Sequence, residues 1–142
     1  MGAGRQSGSI LGVLPGHADQ ACLGGILAQA NWKLRLASTF QQFQGALTGT
    51  YAGVIVTDAD LPERYSWKHV AEAAALLTPP PAVIVVSRLS YDRLWVDVLN
   101  FGGFDLLWKP LNPRQVVHSV NKAWRQWCDK APSACAARAE RL

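Results

Sequence analysis

The sequence predicts an α/β protein in which a doubly wound, five-stranded parallel sheet forms a single-domain (βα)5 unit. The chain has 142 residues, the length of one ordinary domain with one sizeable core. Five short apolar runs alternate with longer amphipathic stretches, and such strict alternation is typical of parallel sheets with crossover helices. Three of the runs are almost continuously apolar, which indicates strands covered by helices on both faces.

The predicted strands are the runs at residues 10–14, 32–37, 51–57, 82–87 and 104–108. A first helix is predicted at roughly residues 17–30. It carries Gly24 and Gly25, each costing about 1 kcal/mol of helix stability relative to alanine, so we expect it to be the least stable of the predicted helices. The other helices begin at polar caps, and two glycines close the fourth helix. These signals are Ser38 or Thr39 with Gln41 and Gln42, then Ser66, Ser90, Asn112 with Pro113, and Gly102 with Gly103.

The net charge of +4 is unevenly distributed. Residues 1–112 contain eight basic and eight acidic residues, whereas residues 113–142 contain six basic and two acidic ones. A nucleic-acid binder is one interpretation, but the segment after Trp127 is too short for a module that reads bases. We favour the interpretation that this positive charge belongs to a solvated helix face and a linker. We predict an N-terminal arm at residues 1–8, a domain at 9–128 and a tail or linker at 129–142.

Composition excludes other classes of protein. With 49% hydrophobic and 17% charged residues the chain is not of the disordered type, and no apolar run is long enough for a membrane span. Cys22, Cys128 and Cys135 are an odd number without a secretory signal pattern, which predicts reduced thiols and a cytoplasmic location. Their spacing fits neither a zinc site nor a redox CxxC pair.

Residues with phosphoryl-transfer chemistry follow three of the predicted strands. Asp58 and Asp60 follow the third strand, Ser87 ends the fourth and Lys109 follows the fifth. In doubly wound sheets the functional crevice lies at these carboxyl ends. A carboxylate can attack phosphorus, and a lysine with a hydroxyl group can hold phosphoryl oxygens.

These residues resemble the receiver domains of two-component response regulators. Residues 58–62, DADLP, are similar to that family's D-x-x-[LM]-P motif, and residues 102–110, GGFDLLWKP, to its G-A-x-x-[YF]-x-x-K-P motif. The resemblance implies a flavodoxin-like fold with strand order 2-1-3-4-5. It implies Asp58 as phosphoacceptor from a sensor histidine kinase, Ser87 as the switch hydroxyl, Lys109 as the phosphate contact and a cis peptide at Pro110.

The chain departs from the family where a metal would bind. Receiver domains have an acidic pair after the first strand that holds Mg²⁺, and here Leu14 and Pro15 take those positions. Asp58 and Asp60 remain as metal ligands, so Mg²⁺ binding is expected to be weak. Asp19 is interpreted as a residue that favours the dipole of the first helix, and the alternative in which Asp60 or Asp19 substitutes for the missing acidic pair stays open. Two variants stay open, a phosphorylated receiver and a pseudo-receiver that binds partners independently of phosphorylation.

The output side also departs from the family pattern. Leu106 replaces the usual Tyr or Phe three residues before the lysine, and we predict a partner face containing Trp95, Leu106 and Trp108 that binds a downstream protein or a second copy of the chain. Trp32, Trp124 and Trp127 are expected to pack beneath helices.

Enzymatic activity is not predicted. The first strand is followed by neither a G-x-G-x-x-G motif nor a P-loop, and the chain has no G-x-S-x-G motif. His17, His69 and His118 lie on separate helices or their approaches, so the sequence pairs no nucleophile with a base.

Overall fold

A computed structural model describes residues 9–49, 52–88, 92–130 and 132 of the chain. The predicted arm at 1–8, the helix start at Ser90, Cys135 and most of the tail lie outside the described residues. In chain order the elements are β1 (Ser9–Val13), α1 (His17–Gln29), β2 (Lys33–Ala37), α2 (Phe40–Gly49), β3 (Ala52–Asp58), a 3₁₀ turn (Pro62–Arg64), α3 (Trp67–Ala75), β4 (Ala82–Ser87), α4 (Asp92–Asn100), β5 (Asp105–Trp108) and α5 (Pro113–Lys130).

The five strands form one parallel sheet in the order β2-β1-β3-β4-β5, as predicted. β1, β3 and β4 are buried on both faces, which explains their nearly continuous apolar sequences. β2 lies at one edge and is largely exposed, and its charged residues Lys33 and Arg35 discourage pairing with another sheet.

Helices cover both faces of the sheet and enclose two apolar clusters. One cluster contains Phe43, Ile55 and Val70, and the other contains Leu14 and the three tryptophans predicted to be core residues. Trp32, Trp124 and Trp127 are indeed buried. Trp67, the first residue of α3, is also buried.

Polar caps begin α3 and α5 at the predicted residues. The Ser66 hydroxyl accepts a hydrogen bond from the Lys68 amide, while His69 Nδ1 accepts one from the Ser66 amide. The Asn112 side chain accepts hydrogen bonds from two amides of the first turn of α5. These contacts satisfy amide groups that a helix start leaves without backbone partners.

The state of the cysteines differs in part from the prediction. Cys128 is disulfide-bonded, whereas reduced cysteines were predicted, and Cys22 is a free, exposed thiol.

No helix in the described ranges is long and apolar enough to cross a bilayer.

Candidate functional site

The carboxyl ends of the strands bring the predicted site residues to one edge of the sheet. Asp58 is the last residue of β3, Ser87 ends the neighbouring β4, and Lys109 directly follows β5. Because the strands are parallel and adjacent, these three ends face the same crevice. The first turn of α1, which contains Asp19, lies at the same edge.

The Lys109 ammonium group joins two carboxylates. Lys109 Nζ donates one hydrogen bond to Asp58 Oδ2 at 2.5 Å and another to Asp19 Oδ2 at 2.7 Å. The side chains are 9% exposed for Lys109, 14% for Asp58 and 22% for Asp19, so the cluster is mostly shielded from solvent. Charge-assisted hydrogen bonds in such surroundings are stronger than neutral ones.

These contacts change the pKa of Lys109. Burial of the side chain by itself lowers the pKa of the ammonium group. The hydrogen bonds that the ammonium group donates to Asp19 and Asp58, together with the charges of the two carboxylates, outweigh that effect, so the pKa of Lys109 is raised above its ordinary value. Lys109 therefore carries a positive charge throughout the physiological pH range.

The loop after β3 holds Asp58 and turns Asp60 outward. The Asp60 amide donates to Asp58 Oδ1 at 3.3 Å, so Asp60 joins the site through its backbone, and the residue is exposed. A backbone bridge between Asp60 and Ser66 closes the loop. Glu63 and Arg64 have positive φ angles of 63° and 65° within it, a conformation unusual for residues other than glycine.

Ser87 and Lys109 are tied together by the backbone. The Lys109 amide donates to the Ser87 carbonyl at 2.9 Å, which extends the β4 and β5 pairing by one step. Ser87 is 4% exposed. The Lys109–Pro110 peptide is cis, the geometry that the resemblance implied.

The end of β1 supplies no acidic group to the crevice. The Leu14 side chain is fully buried in the apolar core, and its carbonyl accepts a hydrogen bond from Gln20 Nε2 at 2.6 Å. The same Gln20 nitrogen donates to Ser38 Oγ. Leu14 is therefore a core residue. Through Gln20, its carbonyl group is linked to α1 and to Ser38, just before α2.

Asp19 is the site residue whose role sequence reasoning missed. The sequence favours a role at the helix dipole, with metal binding as the alternative, whereas the Asp19 carboxylate binds Lys109, 90 residues away in the chain. The available signal was an acidic residue on the first turn of the helix that follows β1. That signal is weak because acidic residues are common at such positions for purely local reasons.

The three residues of the predicted partner face differ in exposure. Trp95 on α4 and Trp108 at the end of β5 are 40% and 53% exposed. Leu106 is 6% exposed and packs in the apolar core, so it is not part of an exposed surface. Both faces of β5 are covered at this point, because the next residue, Leu107, is buried in the opposite cluster.

No protein-family model matches the sequence, and no curated protein matches it either. The fold, however, matches solved structures. A CheY-like response regulator receiver domain protein from Methanospirillum hungatei JF-1 has a TM-score of 0.78 at 21% identity, covering 88% of this chain and 99% of that one. The signal receiver domain of an HD domain-containing protein from Pseudomonas fluorescens Pf-5 has a TM-score of 0.78 at 17% identity, with coverages of 87% and 98%.

A third similar structure is a two-component response regulator from Clostridium difficile, with a TM-score of 0.76 at 21% identity over 84% of this chain and 98% of that one. These likenesses show that the chain has the fold of response regulator receiver domains. Nearly the whole length of each of these proteins is covered, so the likeness extends over the complete (βα)5 unit.

The resemblance implies a magnesium ion, but the residues present do not fit one. Mg²⁺ takes oxygen ligands at about 2.0–2.1 Å in near-octahedral geometry. The facing oxygens of Asp19 and Asp58 both bond the Lys109 ammonium, which lies where an ion between them would have to be. Leu14, which directly follows β1, adds no side-chain oxygen, and the described ranges contain no group of three His, Cys, Asp or Glu side chains suited to a metal.

Proposed function

We propose that this chain is a receiver module of phosphorelay signalling, in which Asp58 accepts a phosphoryl group from a histidine kinase. The observation that carries the proposal is the hydrogen bond from Lys109 Nζ to Asp58 Oδ2 at the carboxyl edge of a receiver-type sheet. It pairs a carboxylate nucleophile with a fixed cation that can bind phosphoryl oxygens.

In the proposed reaction an oxygen of Asp58 attacks the phosphorus of a phosphohistidine. The P–N bond breaks, the electron pair leaves with the imidazole, and an acyl phosphate forms on Asp58. The Lys109 ammonium neutralises part of the phosphoryl charge. Ser87 ends the adjacent strand, so its hydroxyl is the candidate to bind a phosphoryl oxygen and transmit the modification. The module turns over no outside substrate.

Phosphorylation of the full chain tests this proposal. The protein is incubated with acetyl phosphate or with an autophosphorylated histidine kinase, in Mg²⁺ and separately in EDTA, and intact mass spectrometry measures the gain of one phosphoryl group. Asp58→Asn should abolish the gain, and hydroxylamine should reverse it because acyl phosphates are cleaved by this reagent. Asp129→Asn is the matched control, since Asp129 is an exposed carboxylate on α5 outside the site. A gain that persists in Asp58→Asn would contradict the assignment.

A second candidate function is a phosphorylation-independent interaction module. It is favoured by the buried Leu14 side chain, which occupies a position where the family has an acidic residue, and by the exposed Trp95 and Trp108. Aromatic residues are enriched in the cores of protein interfaces. Self-association measured by sedimentation should then be unchanged in Asp58→Asn and weakened in Trp108→Ala. Self-association that needs a phosphodonor would instead support the first candidate.

A further inference from the structure

The contact between Asp19 and Lys109 is not explained by the proposed function alone. It joins the first turn of α1 to the end of β5, two segments 90 residues apart. Both side chains are mostly buried, so this pair differs from exposed ion pairs, which contribute little to stability. Gly16, the N-cap residue of α1, has no side chain that could cap the helix. The Asp19 carboxylate in the first turn accepts a hydrogen bond from the Lys109 ammonium group.

We propose that the Lys109 ammonium, positioned by Asp19, takes the place of the divalent cation in this site, so that the facing carboxylates of Asp19 and Asp58 have a counter-ion without a metal. The inference deepens the proposed function, because it identifies the cation that would face the phosphoryl group. It concerns the cation alone, and its test requires no phosphorylation.

The geometry around the nitrogen supports this assignment. An ammonium group has three N–H donors. Asp58 and Asp19 account for two of them, each through a short contact, and within the described ranges the third N–H has no acceptor, so it is available to a phosphoryl oxygen. The ammonium reduces the charge of the two facing carboxylates from −2 to −1, which is the role of a counter-ion.

The backbone near α1 provides space for the Asp19 carboxylate. A β-carbon at Gly16 would lie 3.3 Å from Asp19 Oδ2, so a side chain at this position would crowd the carboxylate. Leu14, which follows β1, does not contact the Lys109 ammonium, since its carbonyl accepts a hydrogen bond from Gln20 and its side chain is buried in the core. Asp19 is therefore a positioning residue that acts through Lys109.

Metal titration of the full chain distinguishes this inference from the alternative, in which Asp19 is itself a metal ligand. Mn²⁺ is titrated alone, with no phosphodonor present, and binding is followed by calorimetry and by the electron paramagnetic resonance of the free ion. The variants are Lys109→Gln, Asp19→Asn and their combination. Lys68→Gln is the matched control, because Lys68 is an exposed lysine on α3.

Removal of the ammonium should create a metal site. Lys109→Gln is expected to bind Mn²⁺ at least tenfold more tightly than the wild type, because two carboxylates then face each other without a cation. Adding Asp19→Asn should abolish the gain, and Lys68→Gln should behave as the wild type. Equal binding by the wild type and Lys109→Gln, or wild-type binding that Asp19→Asn removes, would overturn the inference.

A second measurement covers the case in which Lys109→Gln does not fold. The rate at which an acylating reagent modifies Lys109 is mapped by mass spectrometry. Asp19→Asn should raise that rate several-fold, because the amine loses one of its two charged partners, and Asp19→Glu should restore slow modification. An unchanged rate in Asp19→Asn would show that Asp19 does not hold the ammonium. Failure of phosphorylation at Asp58 would leave both results unaffected, so the two proposals fail separately.

Discussion

Replacement of Gly53 by alanine should destabilise the protein, because two indole rings of α5 lie directly over this residue of β3. A β-carbon at position 53 would lie 2.7 Å from Cζ3 and 2.9 Å from Cε3 of Trp124, and 2.9 Å from Cδ2 of Trp127. Carbon atoms in contact are normally about 3.5–4.0 Å apart. The backbone of Gly53 does not require glycine, so the close approach of the rings is the reason for this residue.

The rings have little freedom to move aside. Trp124 is 8% exposed and Trp127 is 2% exposed, and the Trp124 ring packs edge-on against Trp32 with centroids 5.6 Å apart. The helix itself must therefore shift. Overpacking of this kind costs about 1–3 kcal/mol, and the lower entropy of the unfolded alanine variant returns about 0.4–1 kcal/mol. The expected net loss of unfolding free energy is about 1–2 kcal/mol.

Urea unfolding followed by circular dichroism measures this loss. Gly25→Ala is the matched control, since Gly25 lies in the interior of α1, is exposed and has nothing within 4 Å of an added β-carbon. That control should gain about 0.5–1 kcal/mol. The reasoning is refuted if Gly53→Ala is as stable as the wild type, or if both substitutions change stability in the same direction.

Three further predictions concern the site and its supports. Leu14→Asp, which adds a carboxylate at the end of β1, should cost more than about 2 kcal/mol in urea unfolding, because the side chain it replaces is fully buried; a stable variant would mean that this side chain can turn to the crevice. Ser66→Ala should lower the unfolding free energy by about 1 kcal/mol through loss of the α3 cap, and an unchanged melting temperature would contradict the capping assignment. Because the pKa of Lys109 is raised in the folded state, the stability from its charge is present below the unfolded pKa of about 10.4 and is lost as pH rises through the folded value. The difference in unfolding free energy between wild type and Lys109→Gln should therefore stay constant near neutral pH and shrink above about pH 10.5, and a difference that persists at higher pH would count against the ion pair.

Local sequence patterns were sufficient to predict the elements of the fold. The apolar runs coincide with the five strands to within one residue at each end, because β-branched residues and two-sided burial leave a strong signature. The caps at Ser66 and Asn112 were also found where predicted, since capping depends only on neighbouring amides.

The remaining site features depend on contacts between distant parts of the chain. Asp19 has the same local sequence context as an ordinary acidic residue at a helix start, and only the folded sheet brings it to Lys109. Leu106 was assigned to the partner face from the position of the family's switch residue, and the structure shows that its side chain is buried in the apolar core. Burial of an edge strand is decided by tertiary packing, which alternation along a four-residue strand does not reveal.

The two apolar clusters have a mechanical consequence for the site. β3 contributes Ile55 to one cluster and Val54 and Val56 to the other, so the strand that ends in Asp58 is clamped from both sides. Close-packed interiors of this kind do not deform gradually. The Asp58 carboxylate therefore has a fixed position in the crevice. When a ligand binds, the groups that move are the Lys109 side chain and the loop between β3 and α3.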